Sequence, residues 1–272
     1  MQDFCFDNLD VSLGQGILDT HKGSFGHLLI AGGDTGYGGA GIIASEAAIM
    51  SGCGLVTLIT KKEHIQSSLS RNPEVIALGV DGRQDAENFL KEHKNLLIGP
   101  GLKESVSSEQ LCELFLSNAN KNEDINITID AGGLYYMKEF GCPSNAIITP
   151  HPGEAAMLLN CSVDEVQTDR LEAAKKLYKK YNCLTILKGF QTIVFDGDAY
   201  RCTDGGPALS TAGTGDVLAG LIGSFLAQGL SKIDAAKFSV AIHGAAGDRF
   251  SKKRIRGLTA TNLIKIINKE ML

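Results

Sequence analysis

Short apolar runs bounded by Gly, Pro or Asp punctuate this chain, and longer segments between them mix apolar with polar positions. Runs of that kind read as strands buried on both faces, and the segments between them as covering helices. Strands are predicted at residues 26–31, 55–60, 96–98, 126–129, 146–149 and 184–187. Residues 192–196 and 199–202 flank Gly197-Asp198, a hairpin signal. Helices are predicted over 40–51, 107–117, 170–181, 216–228, 233–250 and 261–269, with Ser107 or Ser108 capping the second. Gly52 and Gly54 close the first helix, as glycines after a helix do. Strand, turn, helix and strand in that order imply parallel pairing through a right-handed crossover. The expected fold class is α/β: a three-layer α/β/α sandwich around a central, mostly parallel sheet. The absence of a repeat or a linker-like stretch suggests a single domain over residues 1–272.

Ligands of open parallel sheets bind beyond the carboxyl ends of the strands. The unusual residues fall there: the glycine-dense turn 32–39, Gly99-Pro100-Gly101, Asp130, His151 to Glu154, and Lys188-Gly189. The sharpest element is Ser210-Thr211-Ala212-Gly213-Thr214-Gly215-Asp216, which opens an apolar helix. A small-residue turn at a helix start exposes unpaired N–H groups, and with the helix dipole these bind an anion, typically phosphate. Asp216 fits two roles, an N-cap or first-turn carboxylate, or a general base that takes a proton from a hydroxyl attacking a phosphoryl group. A cap alone does not need Gly213 and Gly215, which favours the base. Lys188 beside Gly189 reads as a phosphate contact or as a solvated charge. Glu154 reads as a cap or as a group orienting magnesium through water, with capping favoured. His243 reads as a packed residue.

Composition narrows the picture. The chain has 272 residues, 43% of them hydrophobic and 21% charged, with a net charge of −5. That excludes a generally basic nucleic-acid binder, and the cluster Lys252, Lys253, Arg254 and Arg256 reads as a solvated loop. The seven cysteines are scattered without a C-x-x-C pair, so neither a disulfide framework nor a protein-held metal site is expected. The N-terminus lacks signal-peptide order, and the most apolar stretch, 217–230, is too short to span a bilayer. A cytoplasmic protein with no membrane partner is expected.

The chain resembles the ADP- or ATP-dependent NAD(P)H-hydrate dehydratases of the ribokinase-like superfamily. The matching segments are His21 to Gly26, Gly36-Tyr37-Gly38-Gly39-Ala40, Ser51 to Thr57, Ile98 to Leu102, Thr149-Pro150-His151-Pro152-Gly153-Glu154, Leu187-Lys188-Gly189, Thr211 to Gly220 and Gly257 to Thr261. The T-P-H-P-G-E run is specific to that family; A-G-T-G-D marks the superfamily. The resemblance implies a nucleotide, ADP in the bacterial type, that phosphorylates a ring hydroxyl of hydrated NADH or NADPH, after which phosphate leaves. It implies Asp216 as the base and Gly213 to Gly215 as the anion hole. Ala40, Gly101, His151 and Asp216 would contact the hydrated dinucleotide. Lys188, Gly189, Phe190, Gln191, Thr192 and Gly215 would hold the adenine nucleotide. Mg²⁺ as cofactor and a homo-oligomer such as a tetramer belong to the same expectation, as does the single-domain type without the epimerase domain often fused in front. His21 and Lys22 precede the first strand and are left open. The family's D-A-D-A-L stands here as Asp130-Ala131-Gly132-Gly133-Leu134, so a second acidic residue is missing. Its N-P-G-M-A stands as Gly206-Pro207-Ala208-Leu209-Ser210.

Two other readings compete. A kinase of the same superfamily would use the same Asp216 and release a phosphorylated product. A Rossmann dehydrogenase or a non-catalytic dinucleotide-binding protein would use Gly36-x-Gly38-x-x-Gly41 with an acidic residue about 20 positions on. Glu63 is near that distance, but Lys61 and Lys62 stand before it.

Overall fold

Ten strands form one sheet in the computed structural model, which describes residues 1–11, 13, 22–80, 83–270 and 272. They are β1 (Gln2–Phe4), β2 (His27–Ala31), β3 (Leu55–Thr60), β4 (Ile76–Gly79), β5 (Asn95–Ile98), β6 (Asn126–Ile129), β7 (Ala146–Ile148), β8 (Leu184–Leu187), β9 (Ile193–Phe195) and β10 (Ala199–Cys202). Their order is β1-β10-β9-β8-β7-β6-β5-β2-β3-β4. Neighbours pair in parallel except on the two sides of β9, which runs antiparallel to β8 and to β10. This is the mostly parallel sheet that the apolar runs predict. His21 lies outside the described residues.

Side chains alternate across a strand, so a run that is apolar throughout buries both faces. In β2 and β5, Leu29, Ala31, Leu96 and Ile98 pack on one face with Phe115 of helix Val106–Lys121, Met137 of helix Gly132–Phe140 and Leu177 of helix Arg170–Tyr181. Leu28, Ile30 and Leu97 pack on the other face with Ile42 and Ala44 of helix Gly38–Met50 and Ala219 of helix Thr214–Ala227. Val217, Leu221 and Phe225 of that last helix extend the layer over Ile147 and Ile186, and helix Lys232–Ser251 covers them through Phe238 and Ile242. Fully burying one Leu or Ile stabilises by about 1.5–3 kcal/mol, so both layers are needed to hold the sheet.

The chain reverses its direction of growth between β2 and β5, which are neighbours although β3 and β4 intervene in sequence. Such a switch point opens a crevice at the carboxyl ends. The two loops that bound it are tied together. The Gly33 amide donates to the Pro100 carbonyl at 2.9 Å, and the Asp34 amide to that of Gly101 at 2.9 Å. Gly99 sits at φ +124°, and a Cβ there would lie 1.7 Å from the Asp130 carbonyl oxygen, so only glycine lets the loops after β5 and β6 meet.

Some elements differ from expectation. The N-cap of helix Val106–Lys121 is Ser105, not Ser107 or Ser108, because its hydroxyl accepts the Ser108 amide. β1 (Gln-Asp-Phe) lacks an apolar run, so periodicity misses it; β4 (Ile-Ala-Leu-Gly) has a short one that the strands expected from the sequence did not include. Helix Gly132–Phe140 opens on two glycines, poor helix formers, and helix Pro152–Leu159 opens inside a Pro-Gly segment that reads as loop.

Candidate active site

The turn before helix Thr214–Ala227 is shaped by Gly213, which is the N-cap at φ +91°. That left-handed conformation suits glycine. Thr214 donates its amide to the Thr211 carbonyl, and Val217 donates to that of Gly213. The amides of Gly213, Gly215 and Asp216 make no hydrogen bond among the described residues. Unpaired donors at a helix start, with the dipole behind them, form an anion cradle. Asp216 is therefore not the cap. It stands at the third helical position, one turn from Gly213.

Beside the cradle lies a cluster of charges. Lys188, just past β8, places its Nζ 2.7 Å from Asp130 Oδ1 and 3.9 Å from Glu154 Oε2. Asp130, just past β6, is 2% exposed, and it also accepts the Thr149 hydroxyl at 2.7 Å. A buried carboxylate needs such partners. Burial opposes the charge on Lys188, but Asp130 and Glu154 outweigh it and hold the ammonium above its ordinary range. Asp216 moves the other way for a carboxyl. Burial, then repulsion from Asp130, pushes it up to about 7, against the pull of Lys188. A carboxyl poised near neutrality is suited to accept a proton.

His151 and Glu154 form a reciprocal cap on helix Pro152–Leu159. His151 Nδ1 accepts the amides of Gly153 at 3.0 Å and Glu154 at 3.2 Å, and Glu154 Oε2 accepts the His151 amide at 2.8 Å. The capping role expected of Glu154 is the one observed. Burial raises the Glu154 carboxyl, and Lys188 opposes the shift. With Nδ1 accepting both amides, Nε2 is the ring nitrogen left to donate.

Two clefts meet at this cluster. The larger, about 530 Å³, is lined by Lys188, Gly189, Phe190, Thr192, Gly215 and His151, among others. The smaller, about 390 Å³, is lined by Ala40, Gly101, Glu154 and Asp216 with Tyr37, Lys103 and Tyr135. The residues expected to hold a nucleotide thus fall on the first cleft, apart from Gln191. Those expected to contact a second substrate fall on the other, apart from His151. Gln191 takes φ +54° and gives its carbonyl to Arg170 at 3.5 Å, so it shapes the loop rather than the wall.

A profile of the NAD(P)H-hydrate dehydratase family matches residues 28–269, nearly the whole chain. The chain belongs to the NAD(P)H-hydrate dehydratase family. Among its relatives, the bifunctional NAD(P)H-hydrate repair enzyme of Coxiella burnetii is 41% identical over 251 residues, covering 90% of this chain and 50% of that protein. The ADP-dependent (S)-NAD(P)H-hydrate dehydratase of Enterococcus faecalis is 32% identical over 249 residues, covering 90% of this chain and 84% of that one. The structure of an ADP/ATP-dependent NAD(P)H-hydrate dehydratase from Bacillus subtilis, co-crystallised with ATP/Mg²⁺, superposes with a TM-score of 0.82 at 28% identity, covering 93% of this chain and 91% of that one. The chain spans about half the length of the bifunctional relatives it matches. Membership carries the ribokinase-like α/β fold with it and sets aside the Rossmann reading. Consistent with that, Lys61 pairs with Asp34 at 3.1 Å, and Glu63 lines neither cleft.

Sequence reasoning missed several residues that shape the loops around these clefts. Arg170 reaches from the start of helix Arg170–Tyr181, which precedes β8, to the loop after that strand, giving hydrogen bonds to the carbonyls of Leu187 at 3.0 Å, Lys188 at 3.1 Å and Phe190. Asp34 accepts the hydroxyls of Ser105 and Ser108 and the Thr35 amide. Burial works to raise its carboxyl, but these donors and Lys61 hold it down at about 2. It thereby locks the glycine turn to the start of helix Val106–Lys121. His243, read as packed, is packed and also does more. It lines the larger cleft and donates from Nε2 to the Thr214 carbonyl at 2.9 Å. Burial lowers its pKa to about 4, so the ring stays neutral. An alanine-rich helix gives no signal of such a role. No helix among the described residues is long and apolar enough to cross a membrane.

Proposed function

We propose that this chain uses an adenine nucleotide, ADP, to dehydrate the S-epimer of hydrated NADH or NADPH. The observation that carries the reading is Asp216 on the wall of the smaller cleft, directly after Gly215 on the wall of the larger one and next to a cradle of free amides. The nucleotide lies along Lys188 to Thr192 in the larger cleft, with its terminal phosphoryl group at Gly213 and Gly215. The hydrated ring enters the smaller cleft between Ala40, Gly101 and Asp216. Asp216 accepts the proton of the ring hydroxyl as the hydroxyl oxygen attacks the phosphoryl group, and AMP leaves. The cradle and Lys188 stabilise the charge spread over the transferred oxygens. The C–O bond then breaks, phosphate departs with the former hydroxyl oxygen, and loss of a ring proton restores the double bond.

Mg²⁺ supplies charge neutralisation at the phosphates. Among the described residues no group of three or more His, Cys, Asp or Glu side chains could hold a metal ion. Asp130 and Glu154 are both drawn to Lys188. These residues fit the usual magnesium mode, in which nucleotide phosphates and waters supply most ligands. Glu154 would reach the ion through water. A homo-oligomer such as a tetramer, a cytoplasmic setting and one domain over residues 1–272 complete the proposal.

Incubation with (6S)-hydrated NADH, ADP and Mg²⁺ tests it. The expected result is regained reduced-nicotinamide absorbance with AMP and phosphate formed in equal amounts. A stable phosphorylated product without that absorbance would instead make the chain a kinase.

A further inference from the structure

The smaller cleft holds more than the reacting ring requires. Its inner end carries Glu154 and Asp216, and its outer end carries Tyr37, Lys103, Glu104 and Tyr135. At about 390 Å³ it is smaller than a whole dinucleotide, so a substrate with its nicotinamide ring at Asp216 must continue past that rim. The rim displays two large exposed aromatic side chains, Tyr37 at 52% and Tyr135 at 45%. Lys103 Nζ stands 4.3 Å from the centre of the Tyr37 ring, within cation–π range. That contact pre-orders a side chain that is otherwise costly to immobilise.

The charges leave one choice for an anionic group at this position. Glu104, Glu154 and Asp216 make the lining acidic, and Lys103 is the only cationic side chain lining the cleft among the described residues. It makes no ion pair among them, unlike Lys61 with Asp34 or Lys188 with Asp130. A bridging pyrophosphate brings two negative charges into acidic surroundings, and an unpaired ammonium is what can receive them.

We propose that Lys103, held over Tyr37, binds the pyrophosphate of the dinucleotide and so sets the affinity for a dinucleotide over a shorter substrate. This rests on the hydratase-repair reading above, since it needs the nicotinamide ring at Asp216. Lys103 touches the non-reacting part of the substrate, so it acts on binding and not on the chemical step.

The test measures KM and kcat for hydrated NADH in the wild type, Lys103→Met and Lys103→Arg. The same enzymes are run on hydrated reduced nicotinamide riboside, which carries no phosphate. A charged hydrogen bond is worth about ten- to a hundredfold in affinity. The expected result is a rise of about that size in KM for hydrated NADH in Lys103→Met, with kcat and the KM for ADP unchanged and partial recovery in Lys103→Arg. The riboside should show no difference between wild type and variant. Raising ionic strength should weaken hydrated NADH binding in the wild type and leave the Met variant nearly unaffected. An unchanged KM, a fall confined to kcat, or an equal effect on the riboside would overturn the assignment of Lys103. A wild type that turns over neither substrate would instead reject the functional reading beneath it.

Discussion

Replacing Asp216 by Asn separates the chemistry of this site from its stability, and the two should move in opposite directions. The Asp216 carboxyl is pushed up to about 7 by burial and by Asp130, against Lys188. Below the value of an unfolded aspartate, about 4, both states carry the proton and the shift contributes nothing. Between there and about 7 the unfolded chain has lost the proton while the folded chain retains it, so stability falls as pH rises. Above 7 the whole penalty is present. A tenfold change in proton affinity is worth about 1.4 kcal/mol, so a shift of about three such factors sets a ceiling near 4 kcal/mol. Asp216 is only partly buried, and solvent screening brings the expected penalty to about 1–2 kcal/mol. Asn cannot ionise, so Asp216→Asn should be the more stable protein near pH 8, by about 2–6 °C in Tm. The gain should shrink towards pH 4. Turnover should fall about a hundred- to ten-thousandfold, the usual worth of a positioned base. Thermal melts across the pH range and steady-state rates on the same samples measure both. A variant less stable than the parent near pH 8, or one that turns over within twofold of it, would refute the reasoning.

Other expectations follow from the same geometry. In the wild type kcat/KM should drop on acidification through about pH 7, since the base must be unprotonated. Asp130→Asn, by removing the nearest like charge, should move that inflection to lower pH in a pH–rate profile. Gly213→Ala forces a side chain into φ +91° with Ala260 Cβ at 3.0 Å, so the amide cradle should distort. Its kcat should fall at least tenfold while circular dichroism stays native. Arg170→Met removes the hydrogen bonds holding the loop after β8. The KM for ADP should rise about tenfold with the KM for hydrated NADH unmoved, as read from two substrate titrations.

Most strands that carry the site were legible because their runs are apolar on both faces, and β10 because Gly197-Asp198 marks a hairpin. β3, β6, β8 and β10 end at the residues expected from the sequence. Asp216 and Gly213 were legible for a local reason, since a helix start needs few neighbours to explain it. What escaped is what depends on side chains meeting across the fold. The Lys188–Asp130–Thr149 cluster joins strand ends 19 and 58 positions apart. Arg170 looked like the first residue of an ordinary helix, and nothing in its neighbourhood announces the carbonyls it gathers. The segment at Gly206-Pro207 departs from the family pattern, yet it lines the larger cleft with backbone that many sequences could supply. Asp130 remains in place without the second acidic residue, because Lys188 and Thr149 already satisfy it.

The central claim is that the ring hydroxyl itself is phosphorylated before it leaves. Hydrating NADH in ¹⁸O-labelled water places the label on that hydroxyl. Turnover with ADP in ordinary water, followed by mass analysis of the inorganic phosphate, should find the label in phosphate. Label released as water, with unlabelled phosphate, would contradict the account.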